Sequence, residues 1–174
     1  MSTLIVAVIV VVTIISIFAV LIHTNNKANR KKASCLLASF HQSGTQSSLS
    51  FSSQELLKNC IIGLDGIQRK LLVLQQDEKG NANTCIVDLA EVTKCTVHKV
   101  YRSIQVGDSK SRREDYLEKI VLQFNYNGLI PTFEVPFYKQ EDNHLYEIAE
   151  LEQKAKHWEA ILTKLIIDPL RKRA

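Results

Sequence analysis

A chain of 174 residues with 22 Lys and Arg against 18 Asp and Glu carries a net charge of +4, too modest and too unevenly placed to make nucleic acid its partner. Its four cysteines, Cys35, Cys60, Cys85 and Cys95, stand apart, with no C-x-x-C and no His pair at zinc-finger spacing. That spacing argues against both a metal site and a disulfide framework, and reads as reduced thiols serving as small core hydrophobes.

The first element is the run Thr3–Ile22, without a charge, a Gly or a Pro. Leu4, Ile5, Val6, Val8, Ile9, Val10, Val11, Val12, Ile14, Ile15, Ile17, Phe18, Val20, Leu21 and Ile22 make it apolar on every face. As a helix at about 1.5 Å per residue it covers roughly 30 Å, the hydrocarbon thickness of a bilayer. The run is expected to be retained as an anchor: only Met1 and Ser2 precede it, and no A-x-A pattern follows, so a cleaved signal peptide does not fit. Lys27, Arg30, Lys31 and Lys32 follow it and no Lys or Arg precedes it. Positive flanks stay on the cytoplasmic side, so the expected topology is N-terminus out and C-terminus cytoplasmic. These basic residues, and Arg171, Lys172 and Arg173 at the other end, read as setting topology and solubility.

Residues 33–40 are compatible with a short continuation of the membrane helix, and 42–48, rich in Ser, Gly, Thr and Gln, have linker composition. The expected organisation is therefore an anchor at 1–22, a basic juxtamembrane segment and linker at 23–48, one cytoplasmic domain at 49–168 and a basic tail at 169–174. That domain has residues enough for one core and too few for two.

From Cys60 the pattern becomes β-like. CIIGLD (60–65) and KLLVLQQ (70–76) flank an Asp-Gly-led connection and read as a hairpin; Gly63 within it reads as a bulge. CIVDL (85–89), KCTVHKVYRSIQV (94–106) and YLEKIVLQFNY (116–126) follow, the last alternating through Ile120, Leu122, Phe124 and Tyr126. Asn127-Gly128 is a hairpin signal leading to LIPTFEVPFY (129–138), where Pro131 and Pro136 demand a sheet edge or a bulge. From Asn143 the period changes. Leu145, Ile148, Leu151, Ala155, Trp158, Ile161, Leu162, Leu165 and Ile166 form one stripe of an amphipathic helix, capped by Asp142 or Asn143 and stopped by Pro169. The fold class expected is α+β: a transmembrane helix, then a small antiparallel bent sheet or partly open barrel of six to seven strands and one long C-terminal helix.

That order of strands and a terminal helix carrying the single Trp158 resembles the pleckstrin-homology-like superfold over roughly residues 50–167, which implies a helix plugging one end of a bent barrel with Trp158 in the core. The segments IIGLDGIQRKLLVL, CIVDLAEVTKCTV and PFYKQEDNHLYEIAELEQKAKHWE are similar to those of single-pass membrane proteins of Bacteroidetes-type bacteria, which implies a bacterial inner membrane and brings no activity with it. Lipid-binding members of the superfold carry a K-x(n)-[KR]-x-R pattern in the first hairpin. Here that hairpin offers only Arg69 and Lys70, so phosphoinositide binding is not implied.

Catalysis would need converging carboxylates, or a His beside a nucleophile. His23, His41, His98, His144 and His157 are scattered, and G-x-S-x-G, P-loop and G-x-G-x-x-G motifs are absent. No enzyme and no cofactor is expected. Two candidate binding surfaces remain: the proline-marked edge strand 129–138, and a basic group of Lys94, Lys99 and Arg102 on a strand leading into GDSKSRRED (107–115), with Lys110, Arg112 and Arg113, which could take an acidic partner or a lipid headgroup if its members face one way. The functional expectation is a membrane-anchored, non-catalytic interaction or scaffold module that recruits a cytoplasmic or membrane protein. The alternative is an accessory subunit or homo-oligomer organised by the anchor.

Overall fold

A computed structural model of the chain describes residues 33–77, 80–105, 113–126 and 132–166. The apolar run 3–22, its basic flank Lys27, Arg30, Lys31 and Lys32, and the loop residues Lys110 and Arg112 lie outside them. Among the described residues no helix is long and apolar enough to cross a membrane.

The architecture is α+β with two antiparallel sheets. Strands β1 (Ser53–Leu56), β2 (Cys60–Asp65), β3 (Lys70–Gln76) and β4 (Ala82–Asp88) form a four-stranded meander in sequence order. Strands β5 (Val92–Gln105), β6 (Arg113–Tyr126) and β7 (Phe133–Lys139) form a three-stranded one. A helix over 33–46, α1, precedes the strands; a 3-10 turn, Leu145–Glu147, leads into α2, Ile148–Ile166.

The main core lies where the inner faces of both sheets meet the stripe of α2. Ile62, Leu64, Leu71 and Val73 come from the first sheet, Ile120, Leu122, Phe124 and Val135 from the second, and Leu151, Ala155, Trp158, Leu162 and Ile166 from α2. The strands of the first sheet do not alternate apolar and polar: all six residues of β2 and Leu71–Leu74 of β3 are buried. Their cross-strand register explains why. Ile62↔Val73 and Leu64↔Leu71 are pairs turned into the main core, while Ile61↔Leu74 and Gly63↔Leu72 face the other way. On that outer face Ile61, Leu72 and Leu74 cluster with Leu36 and Phe40 of α1, with Leu49 and Phe51 packed against them. A sheet covered on both sides requires apolar residues at consecutive positions.

This second layer corrects two expectations. The stretch 42–46 is helix rather than linker, and α1 is part of the folded unit. Gly63 is not a bulge, since β2 keeps an unbroken register with both neighbours. It is the point of closest approach between helix and sheet: a Cβ there would overlap the Phe40 ring and lie 2.9 Å from Phe51 Cδ1. The two rings stack over it, centroids 4.7 Å apart. Gly44 makes the reciprocal allowance in α1, where a Cβ would stand 2.6 Å from Phe51 Cε2.

The β2–β3 turn is organised by Asp65, buried at the end of β2. Its Oδ1 accepts the backbone N–H groups of Ile67 (2.9 Å) and Gln68 (2.8 Å), and its Oδ2 that of Ser50 (2.8 Å). The Gln68 bond, then the Ser50 bond, hold the carboxyl below the ordinary Asp range. A depressed carboxylate contributes stability that is complete above the unfolded-state pKa of about 3.9 and is lost as pH falls through the folded value. Denaturation midpoints measured between pH 5 and pH 2 should therefore fall towards acid, and Asp65→Asn should flatten that slope while lowering the plateau at pH 5.

Pro136 sits where both expected devices coincide: β7 is an edge strand, and the register steps from Ile120↔Tyr138 to Val121↔Pro136. The extra residue turns consecutive Phe137 and Tyr138 into the interior. At the start of the last helical segment, His144 rather than Asp142 or Asn143 is the N-cap. Its backbone N–H donates to Glu147 Oε2 at 2.8 Å, while Asn143 Oδ1 accepts from the Lys139 N–H at 3.1 Å. Because the first turn is 3-10, Leu145 falls off the α2 stripe and is 74% exposed.

Candidate functional site

The basic residues expected on β5 do not gather into one site. Cys95 and Val97 pack inward, so by strand alternation Lys99 shares their face and Lys94 the opposite one. Lys99 Nζ is bonded to Glu152 Oε2 of α2 at 2.7 Å, and Lys156 holds the other oxygen of the same carboxylate at 2.7 Å. Those two ammonium groups, Lys156 first, hold the Glu152 carboxyl below its ordinary range. Arg102 is paired with Glu118 of β6 at 2.7 Å. Lys94 is exposed, and Arg113 is the first residue of β6. Lys99 and Arg102 are thus internally neutralised, and an anion approaching this strand would compete with carboxylates already in place.

Arg69, singled out with Lys70 as the basic content of the first hairpin, has a different task. It adopts φ 55° at the end of the β2–β3 turn, and its guanidinium Nη2 donates to the Leu165 carbonyl in the last turn of α2. A cation there satisfies one of the helix's terminal carbonyls and faces the negative end of its dipole. Arg69→Met should cost about 1–2 kcal/mol, read as a shift of the denaturant midpoint, with Arg69→Lys recovering part of the loss.

Trp158 lies at 2% exposure in the main core beside fully buried Leu162. Of the cysteines, Cys60 and Cys95 are buried and their thiols are pushed up to about 12 by that burial, which makes them inert at neutral pH. Cys35 and Cys85 are exposed, against the expectation of a uniformly buried set. Among the described residues no three His, Cys, Asp or Glu side chains are grouped to hold a metal ion.

One concavity among the described residues was not anticipated. A groove of about 580 Å³ runs between the start of α1 (Ala33, Leu36), the β1–β2 connection (Leu56–Asn59) and the 3-10 turn with the first turn of α2 (Tyr146, Glu147, Glu150, Lys154). Its charged groups are engaged: Lys154 with Glu55 at 3.2 Å and Glu150 at 3.1 Å, Lys58 with the Asp142 carbonyl, and Glu147 with the His144 N–H. The Glu147 carboxyl is held below its ordinary range, first by that N–H and also by Asn143. The carboxylates and ammonium groups of the groove are thus committed to one another, and the His144 imidazole that also lines it stacks on the Tyr146 ring. Among these polar groups it also presents apolar side chains: Leu56, 48% exposed, on one bank and Tyr146, 79% exposed, on the other, with Leu145 next to Tyr146 in the chain.

The chain matches no known protein family, no curated protein and no solved structure. Its function is therefore argued from its own residues. Sequence reading overlooked the groove because the three segments that form it are distant in the chain, and because Leu145 fits the helical period well enough to pass for a core residue.

Proposed function

We propose that this chain is a single-pass membrane protein that holds one small non-catalytic domain at the cytoplasmic face of a bilayer, where the domain acts as an interaction or scaffold module. The observation that carries this reading is the uncharged run 3–22, followed within ten residues by Lys27, Arg30, Lys31 and Lys32. Support comes from the domain, whose candidate basic residues Lys99 and Arg102 are paired within the fold. Two antiparallel meanders of four and three strands, with a C-terminal helix whose stripe joins their common core, favour the finer reading of a pleckstrin-homology-like domain. The lipid-headgroup function of that superfold is not part of the proposal, since Arg69 is committed to the end of α2.

The test is topological. The full chain, expressed in bacteria and resistant to alkaline extraction from membranes, should place a reporter fused after Ala174 in the cytoplasm. Release by alkali, or a reporter active only outside the cytoplasm, overturns the reading. An accessory-subunit or self-associating role is favoured by one feature: among the described residues β4 is the last strand of its sheet, with Cys85 and Ile86 exposed, a place where a further strand can add. Crosslinking in native membranes separates the two, since a stoichiometric heterologous partner supports recruitment and self-crosslinks alone support the oligomer.

A further inference from the structure

Three exposed apolar side chains stand at one end of the domain. Leu145 and Tyr146 are consecutive on the 3-10 turn, 74% and 79% exposed, and Leu56 lies across the groove. The same groove is lined by Ala33, the first described residue of α1. The chain therefore enters the domain beside this apolar trio, and ten residues, 23–32, separate that entry from the end of the apolar run at Ile22. Even fully extended, ten residues reach no more than about 36 Å. We infer that Leu145 and Tyr146, with Leu56 beside them, seat the domain on the interfacial layer of the bilayer that the run 3–22 enters. The inference rests on the tether proposed above and adds to it an orientation and a contact surface.

The chemistry suits that layer. A Tyr ring with an apolar body and a polar hydroxyl is favoured at the headgroup boundary, and Tyr146 is already held flat against His144, ring planes 13° apart and centroids 5.2 Å apart. The surrounding charges weigh against an alternative based on anionic lipid. Among the described residues around the groove, Glu55, Glu147 and Glu150 outnumber Lys58 and Lys154, and those lysines are engaged. The contact is apolar, so it should form on zwitterionic lipid and persist in high salt, unlike a basic patch. An internal control exists in Ile67, 90% exposed at the β2–β3 turn, which lies at the opposite end of β2 from the β1–β2 connection and would point away from the membrane.

The full chain is reconstituted in phosphatidylcholine vesicles, with Trp introduced as Tyr146→Trp or, separately, as Ile67→Trp; both sites are exposed and tolerate the larger ring. Fluorescence is read as the difference from the parent chain, whose buried Trp158 gives a constant background. The expected result is that the emission added at position 146 is blue-shifted and largely lost on quenching by lipids brominated near the top of the acyl chain, while that added at position 67 is neither. Leu145→Ser in the Tyr146→Trp background should restore much of the lost emission. Emission at 146 that stays red and unquenched overturns the inference while leaving the tether intact, as does equal quenching at both positions. A blue shift without lipid quenching also overturns it, because protein, either a second copy or the chain's own residues 23–32, then covers the groove. A chain that fails to float with the vesicles overturns this inference and the tether together.

Discussion

Trp158→Ala should lower the stability of the domain by about 3–5 kcal/mol, enough to populate the unfolded state in a protein whose total stability is of the usual 5–15 kcal/mol. Trp158 belongs to no single layer: its cluster takes in both sheets and the rest of the α2 stripe, so truncation leaves a void that neither sheet can fill by moving alone. Trp158→Phe, which keeps an aromatic ring in place, should lose less than half as much. Far-ultraviolet circular dichroism against denaturant reads both. If the alanine variant unfolds at nearly the parent midpoint, α2 is not what closes the core.

The second large effect lies on the opposite face of the first sheet. Phe40→Ala should also cost about 3–5 kcal/mol, and its local signature differs: cleavage of 33–48 by protease should accelerate sharply while α2 stays protected. Gly63→Ala in the parent should cost about 1–3 kcal/mol, because the new methyl enters space held by Phe40 and Phe51. Combining the two gives the sharper result. In the Phe40→Ala background most of the alanine penalty at position 63 should vanish, leaving only the Phe51 contact, for a coupling of about 0.5–3 kcal/mol. Strict additivity would mean that the ring and the glycine do not share that space.

The elements read most accurately from sequence are those specified by local chemistry. The β2–β3 hairpin falls at the expected residues, 60–65 and 70–76, because Asp65-Gly66 punctuates two apolar runs and the Asp65 carboxylate ties down the turn by itself. The α2 stripe is legible because five of its residues, from Leu151 to Ile166, repeat at helical spacing and are buried together. What escaped was specified by partners distant in the chain. Strand β1, Ser53–Leu56, has no apolar alternation and exists by pairing with β2. Helix α1 reads as an extension of the membrane helix over 33–40 and as linker from 42, and it is Leu36 and Phe40 that hold it against the sheet. Its signal was present in β2 and β3, whose uninterrupted apolar runs announce that both faces are covered and that a second covering element must exist. The candidate site followed the same rule. Lys94, Lys99 and Arg102 share a strand, which the sequence shows; that Lys99 is answered by Glu152 on α2 and Arg102 by Glu118 on β6 follows only from the fold.

The docking of α1 has a mechanical consequence. A domain hung from a Ser-rich thread tumbles without regard to what the thread is fastened to. Here Leu36 and Phe40 clamp the first helix to the sheet, with Gly63 allowing the backbones into close approach, so a twist applied at residue 33 turns the four-stranded sheet with it. A load applied where the chain enters the domain is therefore borne by the β-sheet itself and not taken up by slack in a linker, and the direction of that entry fixes how the four strands are presented.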